Sequence, residues 1–452
     1  MCTNLRVAVF LCAVSALAAA NGEFQDRRHR AAAAFDDGIL LVLARSAADD
    51  SADGFRQDAA FYYFTGLENT TASILAIDGR SRESWLFLRP QGRLESSIAK
   101  LTGPPEGSPG SDAVKQAGIE HVADWSELAS FLEKKSASPA VLYYEAVRSG
   151  PELPPDIGSA DPRAPLWAVA IARKWPSYQL RFANARVSAL MEVQSPSELV
   201  SVRAAAKATV QAVMAGVRAI RPGVSQRTVE LAVADACWKE GAHGVSFWPW
   251  AKAGLDGVYP VPWASKTRYD SLDGTMNAGD LVRLDVGCEW NHYGADLGRT
   301  VPVSGRYSAD QREIWDIFVS AYHAGAGLLR DGATVDQVFA AWSAELIRHR
   351  ESARSALAKQ AVDEWSKREQ VPNWQIHTMN LSAGGVQGPL RAGTTLAFEP
   401  IASIGGQGYY MEDLFLITKG GAELLTPGVP YSAGEIELAM GGGNKGTSRN
   451  QP

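Results

Sequence analysis

The 452-residue sequence predicts an α+β fold shared between two domains. The length exceeds what one hydrophobic core ordinarily spans. Short apolar runs alternate with helix-forming segments in both halves, and a proline-rich connection lies between them. A composition of 46% hydrophobic and 21% charged residues is that of globular protein. The formal charge of -6 is spread without a basic stripe, which argues against nucleic acid or an anionic membrane surface as partner and for a small substrate.

Taken in order, the chain opens with an apolar stretch, Val7 to Ala20, too short to cross a bilayer comfortably. Followed by small and polar residues, it reads as a cleaved export signal over residues 1–20, which predicts a periplasmic or extracellular protein. The runs GILLVLA from Gly38, FYYFTG from Phe61, ASILAID from Ala72, SWLFLRP from Ser84 and AVLYYEA around Val141 read as strands of a compact α/β unit. Five prolines between Gly150 and Pro165 predict an extended connection.

The second half opens with Ser195-Pro196 and Glu198, a capping pattern with proline at the first helical position. The alanine-rich segment behind it predicts a helix of roughly six turns, ending at Arg221-Pro222-Gly223. Further helices are expected after Ser225 and from about Gln311 to Leu329, with strands at DLVRLDVG and TLAFEP. The tail, residues 439–452, is glycine-rich and polar. Loss of the leader removes Cys2 and Cys12, leaving Cys237 and Cys288, which are expected to be two buried thiols.

Chemistry concentrates in this second half. In LVRLDVG, Asp285 shares a strand face with Arg283 and Gly287, and a carboxylate in such an apolar setting must be paired or metal-bound. Asp296 follows eleven residues later, and the intervening CEWNHYGA is long enough to reverse the chain. Glu399 closes the apolar run TTLAFEP, Glu412 sits inside YYMEDLFLIT, and His377 lies upstream of both. Four carboxylates and an imidazole on apolar strands are expensive unless a cation neutralises them. Oxygen donors with one nitrogen suit manganese, zinc, cobalt or iron.

The order Asp285, Asp296, His377, Glu399, Glu412, in the words LDVG, YGADLGRT, FEP and MEDLFLIT, resembles the pita-bread metallopeptidase family that includes aminopeptidase P, prolidase and methionine aminopeptidase. The front-half word GFRQDAAFYYFTGLENTTASILAI is similar to the N-terminal domain of aminopeptidase P. The resemblance implies a creatinase-like α/β domain over residues 23–180 and a pita-bread domain over 194–438. It implies two divalent ions, manganese first, with Asp285 on one, His377 and Glu399 on the other, and Asp296 and Glu412 bridging both. It further implies a secreted peptidase of the Xaa-Pro aminopeptidase or prolidase kind, in which a metal-bridging hydroxide attacks and Glu399 takes a proton. A homo-oligomer is also implied.

Several positions depart from that family. Histidines usual four residues before and seven after the ligand histidine are replaced by Asn373 and Gly384, an arginine usual before the last glutamate is replaced by Tyr410, and no histidine occurs between Tyr259 and Gly279. His243, His292 and His323 read as surface or capping residues. Trp248, Trp250 and Tyr410 are candidate substrate contacts, with core packing as the alternative reading of the aromatic segment. The departures leave two other functions open: a metal-dependent hydrolase or lyase of a non-peptide substrate on the same fold, and a weakly active or non-catalytic relative.

Overall fold

The computed structural model describes residues 22–46, 55–103, 108, 110–137, 140–146, 164–266, 273–371, 375–381 and 383–441. The leader, Asn373, most of the proline-rich connection and the tail beyond Gly441 lie outside them. The chain divides into two compact units, residues 1–191 and 192–452.

In the first unit the uninterrupted apolar run Gly38–Leu43 forms β1, buried along almost its whole length. Its neighbours are β2 (Ile74–Asp78), β3 (Glu83–Leu88), β4 (His121–Asp124), β5 (Ala140–Tyr144) and β6 (Tyr178–Phe182), in the mixed order β4-β3-β2-β1-β5-β6. Helices, among them residues 22–34, cover the sheet.

The tyrosine-rich segment differs from its sequence expectation. Ala59–Thr65 is a helix, not a strand. Local signals outweigh β propensity here: the Asp58 side chain accepts from the Phe61 amide at 3.0 Å, and Gly66 ends the helix in the left-handed region at φ 67°. The preceding Gln57 takes the Arg45 amide at 2.8 Å and donates to the Thr70 carbonyl at 2.6 Å, holding the helix entrance to the end of β1.

The second unit is built on the capped helix Pro196–Ala219, where Ser195 and Glu198 satisfy each other's backbone amides. Helix Gln226–Lys239 packs beside it, and Ala309–Ala326, Val335–His349 and Ala356–Trp365 form a second helical group. The strands are β7 (Gly244–Val245), β8 (Trp250–Ala253), β9 (Leu281–Val286), β10 (Cys288–Trp290), β11 (Tyr293–Gly294) and β12 (Leu297–Pro302), then β13 (Gln375–Met379), β14 (Ala383–Gly385), β15 (Thr395–Glu399), β16 (Ile401–Ile404), β17 (Gln407–Ile417) and β18 (Ala422–Leu424). Nine of them form one curved path, β14-β13-β15-β17-β12-β9-β8 with β16 and β18 added at β17, while β11-β10-β7 form a small second sheet. Among the described residues no helix is long and apolar enough to cross a membrane.

The two cysteines are not free thiols. Cys237, on the inner face of helix Gln226–Lys239, is disulfide-bonded to Cys288 at the start of β10, with Cα atoms 5.5 Å apart. Both are fully buried, as expected, but the helix packs where the hairpin leaves β9, and this brings the sulfurs together.

Candidate metal centre

Strand register gathers the acidic residues. Gly298 of β12 pairs with Asp285 of β9 on one side and with Glu412 of β17 on the other. A Cβ at Gly298 would lie 1.9 Å from the Tyr410 ring, so only glycine lets that ring pass beneath the site. Asp296 stands just before β12, after a hairpin whose turn residues Asn291 and His292 take positive φ angles of 49° and 69°. Glu399 ends β15 directly opposite Gln375 of β13, and His377 follows two residues later on the same strand face.

The side chains meet. His377 Nε2 lies 3.1 Å from Glu399 Oε2, 3.5 Å from Glu412 Oε1 and 3.8 Å from Asp296 Oδ2. One ligand atom each from Asp296, His377 and Glu412 fall within 4.8 Å of one another. Asp296 Oδ1 and Glu412 Oε1 are buried without a hydrogen-bond partner, a costly arrangement that a divalent ion would relieve. The residues therefore fit a metal ion: two carboxylates and an imidazole around one point, with lone pairs unspent.

Electrostatics agree with that fit. Burial, then repulsion from Glu412 and Asp285, holds the Asp296 carboxyl well above the usual range. Asp285 is pushed up to about 7 by burial and by Glu412 and Glu399, against the pull of Arg283. Glu412 is raised by burial and by Glu399, with His377 opposing. Burial disfavours charging His377, yet the hydrogen bond to Glu399 and the neighbouring Glu412 carboxylate raise its pKa well above the ordinary value. The protein alone thus favours protons where a cation would otherwise supply positive charge.

Arg283 is a further member of this cluster. Its Nη2 donates to Asp285 Oδ2 at 2.9 Å and to Glu399 Oε1 at 3.4 Å. The side chain is 1% exposed, with Cζ 4.3 Å from the centre of the Tyr410 ring, 5.2 Å from Trp263 and 5.5 Å from Trp250. Its Nε and Nη1 have no hydrogen-bond partner. Gln375 also belongs here, donating to Glu399 Oε2 at 2.6 Å. The sequence holds a signal for both: each stands two residues from an acidic or imidazole ligand on an alternating strand, and so on the same face.

The cluster forms one wall of a cavity of about 760 Å³, whose other walls include Phe247, Trp248, Trp250, Trp263 and Ile376. Trp250 and Trp263 meet edge to face with ring centres 5.2 Å apart. Trp248 is half-exposed, and its indole N–H donates to Glu230 at 2.9 Å, which ties it to the buried Glu230–Lys252 pair. Gly384 also lines the cavity. Tyr410 departs from expectation: it is fully buried, does not line the cavity, and donates its hydroxyl to Glu412 Oε2, because the missing side chain at Gly298 leaves room for its ring under the sheet. His243 and His323 stand away from the cavity, the former accepting the Asn291 amide of the hairpin turn at 3.1 Å and the latter in the last turn of its helix. His292 occupies that same hairpin turn.

Comparison with known proteins agrees with this architecture. The chain matches metallopeptidase family M24 over residues 201–419 and the aminopeptidase P N-terminal domain over 24–143. It is 24% identical over 449 residues to the Xaa-Pro aminopeptidase of Haemophilus influenzae, covering 92% of this chain and 97% of that one. It is 26% identical over 464 residues to the Xaa-Pro aminopeptidase of Escherichia coli, with the same coverage. Among solved structures, proline aminopeptidase P II from Yersinia pestis superposes with a TM-score of 0.72 at 21% identity, over 93% of this chain and 99% of that one. Aminopeptidase P from E. coli with the inhibitor Pro-Leu gives 0.71 at 23% identity, over 93% and 98%. The N-terminal unit followed by a pita-bread unit is therefore the fold, and the chain belongs to the aminopeptidase P branch of metallopeptidase family M24, a family of metal-dependent hydrolases.

Proposed function

We propose that this protein is a metal-dependent exopeptidase that cleaves the bond between a free N-terminal residue and a following proline. The observation that carries the reading is the convergence of Asp296, His377 and Glu412, two of them with unspent buried oxygens, beside a cavity that Asp296 and His377 line together with Phe247, Trp248, Trp250 and Trp263 and the charged Arg227, Glu230 and Lys252. An aromatic wall suits a proline ring, which is apolar and flat-sided.

Asp296, His377 and Glu412 are assigned as ligands of a divalent ion, manganese first among the candidates. When bound, the ion supplies Lewis acidity toward the amide carbonyl and lowers the pKa of water. The protein supplies the rest. Glu399 is assigned to take the proton from the attacking water. Its Oε2 is fixed by Gln375, while Oε1 has only the longer contact to Arg283. Trp250, Trp263 and Phe247 exclude water from the substrate's side chains.

We also infer export through the leader at residues 1–20. The Cys237–Cys288 disulfide supports it, since such bonds persist in oxidising compartments.

The test is hydrolysis of a panel of Xaa-Pro peptides by manganese-loaded protein, beside matched peptides with alanine in place of proline. Selective release of the first residue is expected, with Glu399→Gln lowering turnover by about 10² to 10⁴ while the circular dichroism spectrum stays unchanged. Metal-loaded protein that cleaves no Xaa-Pro peptide would overturn the peptidase reading and favour a non-peptide substrate for the same centre.

A further inference from the structure

We propose that the guanidinium of Arg283 takes the place of a second metal ion, so that this centre holds one divalent cation where the sequence led to an expectation of two. The inference rests on the metal centre assigned above and concerns how many ions it admits.

Three observations converge. First, the ligand atoms that gather around one point come from Asp296, His377 and Glu412. A second ion would need Asp285 together with oxygens shared from Asp296 and Glu412. Second, Asp285 is already engaged: Arg283 Nη2 sits 2.9 Å from its Oδ2 and bridges to Glu399 Oε1 at 3.4 Å. An arginine stays protonated at any working pH, so the positive charge between these two carboxylates is permanent. Third, the oxygen of Glu412 that does not face the triad is taken by the Tyr410 hydroxyl, which leaves Oε1 alone for metal.

Arg283 is held against the cluster from two sides. The side chain is 1% exposed and lies against the Tyr410, Trp263 and Trp250 rings, and its Nε and Nη1 find no acceptor. Asp285 and Glu399 are therefore its only polar anchors among the described residues. Withdrawal to admit an ion would take the guanidinium off both carboxylates, its two acceptors among the described residues, and remaining would place it beside a like charge on the same carboxylate. Both alternatives disfavour a second cation.

The experiment uses the full chain, stripped with chelator, reloaded with excess Mn²⁺ and desalted. Manganese per chain is measured by elemental analysis, and the bound ion by electron paramagnetic resonance. Wild type is expected to hold one ion per chain with the hyperfine pattern of isolated Mn(II). Arg283→Met keeps the aromatic packing and removes the charge, and is expected to hold two ions with the spectrum of an exchange-coupled pair. Two ions in the wild type, or one in a folded Arg283→Met protein, would overturn the inference. Should that variant fail to fold, the wild-type count and spectrum decide alone. A wild type that binds no manganese would overturn the metal centre itself. One ion without Xaa-Pro cleavage would support the present inference and overturn only the peptidase reading.

Discussion

Two buried arginines, sixteen residues apart on adjacent strands, are used in opposite ways. Arg299 on β12 spends its whole guanidinium: Nε donates to the Pro430 carbonyl, Nη1 to the carbonyls of Gly298 and Glu412, and Nη2 to Asp413 Oδ1 at 2.9 Å, with the Tyr431 ring 4.5 Å from Cζ. Asp413 is in turn held by the hydroxyls of Tyr322 and Tyr431. Arg283 on β9 is as deeply buried, yet only Nη2 finds acceptors, and both belong to the metal centre. A fully satisfied buried ion pair fixes β12 against β17. A half-satisfied one marks the place where another charged group completes the site.

The comparison can be broken most directly at Arg299. Arg299→Met should cost about 3 to 5 kcal/mol, because it strands the Asp413 carboxylate in the core. Urea unfolding measures this, and the manganese content of the folded fraction should be unchanged. A loss under 1 kcal/mol would mean that Arg299 is no more structural than Arg283.

A second prediction sharpens the contrast through pH. The raised pKa values of Asp285, Asp296, Glu412 and His377 all have the same sign. Metal-free native protein binds protons here that the unfolded chain releases, so this part of its stability is whole below the unfolded pKa values and is lost as pH rises. For Asp285 the window runs from the ordinary aspartate value of 3.8 up through about 7. Bound metal replaces those protons and removes the dependence. The melting-temperature gap between manganese-loaded and chelated protein should therefore widen from pH 5.5 to pH 8. A gap that narrows would show that the cluster is not the proton-binding element.

The smallest expected effect concerns Gly384, where the family resemblance leads one to look for an imidazole. Gly384 lines the cavity, and a Cβ there would meet only Thr378 Oγ1, at 3.2 Å. Gly384→His should raise turnover of Xaa-Pro peptides by about tenfold, less than the 10² to 10⁴ typical of a fully integrated acid–base group. Steady-state kinetics on wild type and variant would check it, and unchanged turnover would place the missing proton handling elsewhere.

Much of this centre was legible in the sequence because strand alternation is strict. Asp285, Glu399 and Glu412 sit in apolar runs whose period puts them on inward faces, and the helix ahead of them announces itself through Ser195, Pro196 and Glu198. What was harder to read depends on partners remote in the chain. The helix at Ala59–Thr65 is decided by capping at Asp58 and Gly66, which outweighs the strand preference of its tyrosines. The Cys237–Cys288 bond needs a helix to pack where a hairpin begins, and no spacing rule conveys that. Arg283 was visible as a same-face neighbour of Asp285, but its bridge to Glu399 spans 116 residues and exists only once β9 and β15 belong to one sheet.

Gly298 adds a constraint on how this centre can change over time. Because a methyl group at position 298 would collide with the Tyr410 ring, the two positions are not free to vary independently. A chain that acquires alanine at 298 must first have exchanged Tyr410 for something smaller, and that exchange releases the Glu412 oxygen that Tyr410 occupies and removes the ring beneath Arg283. Positions 298, 410 and 283 are thus expected to change together, and a relative that departs from this chain at one of them should depart at the others as well.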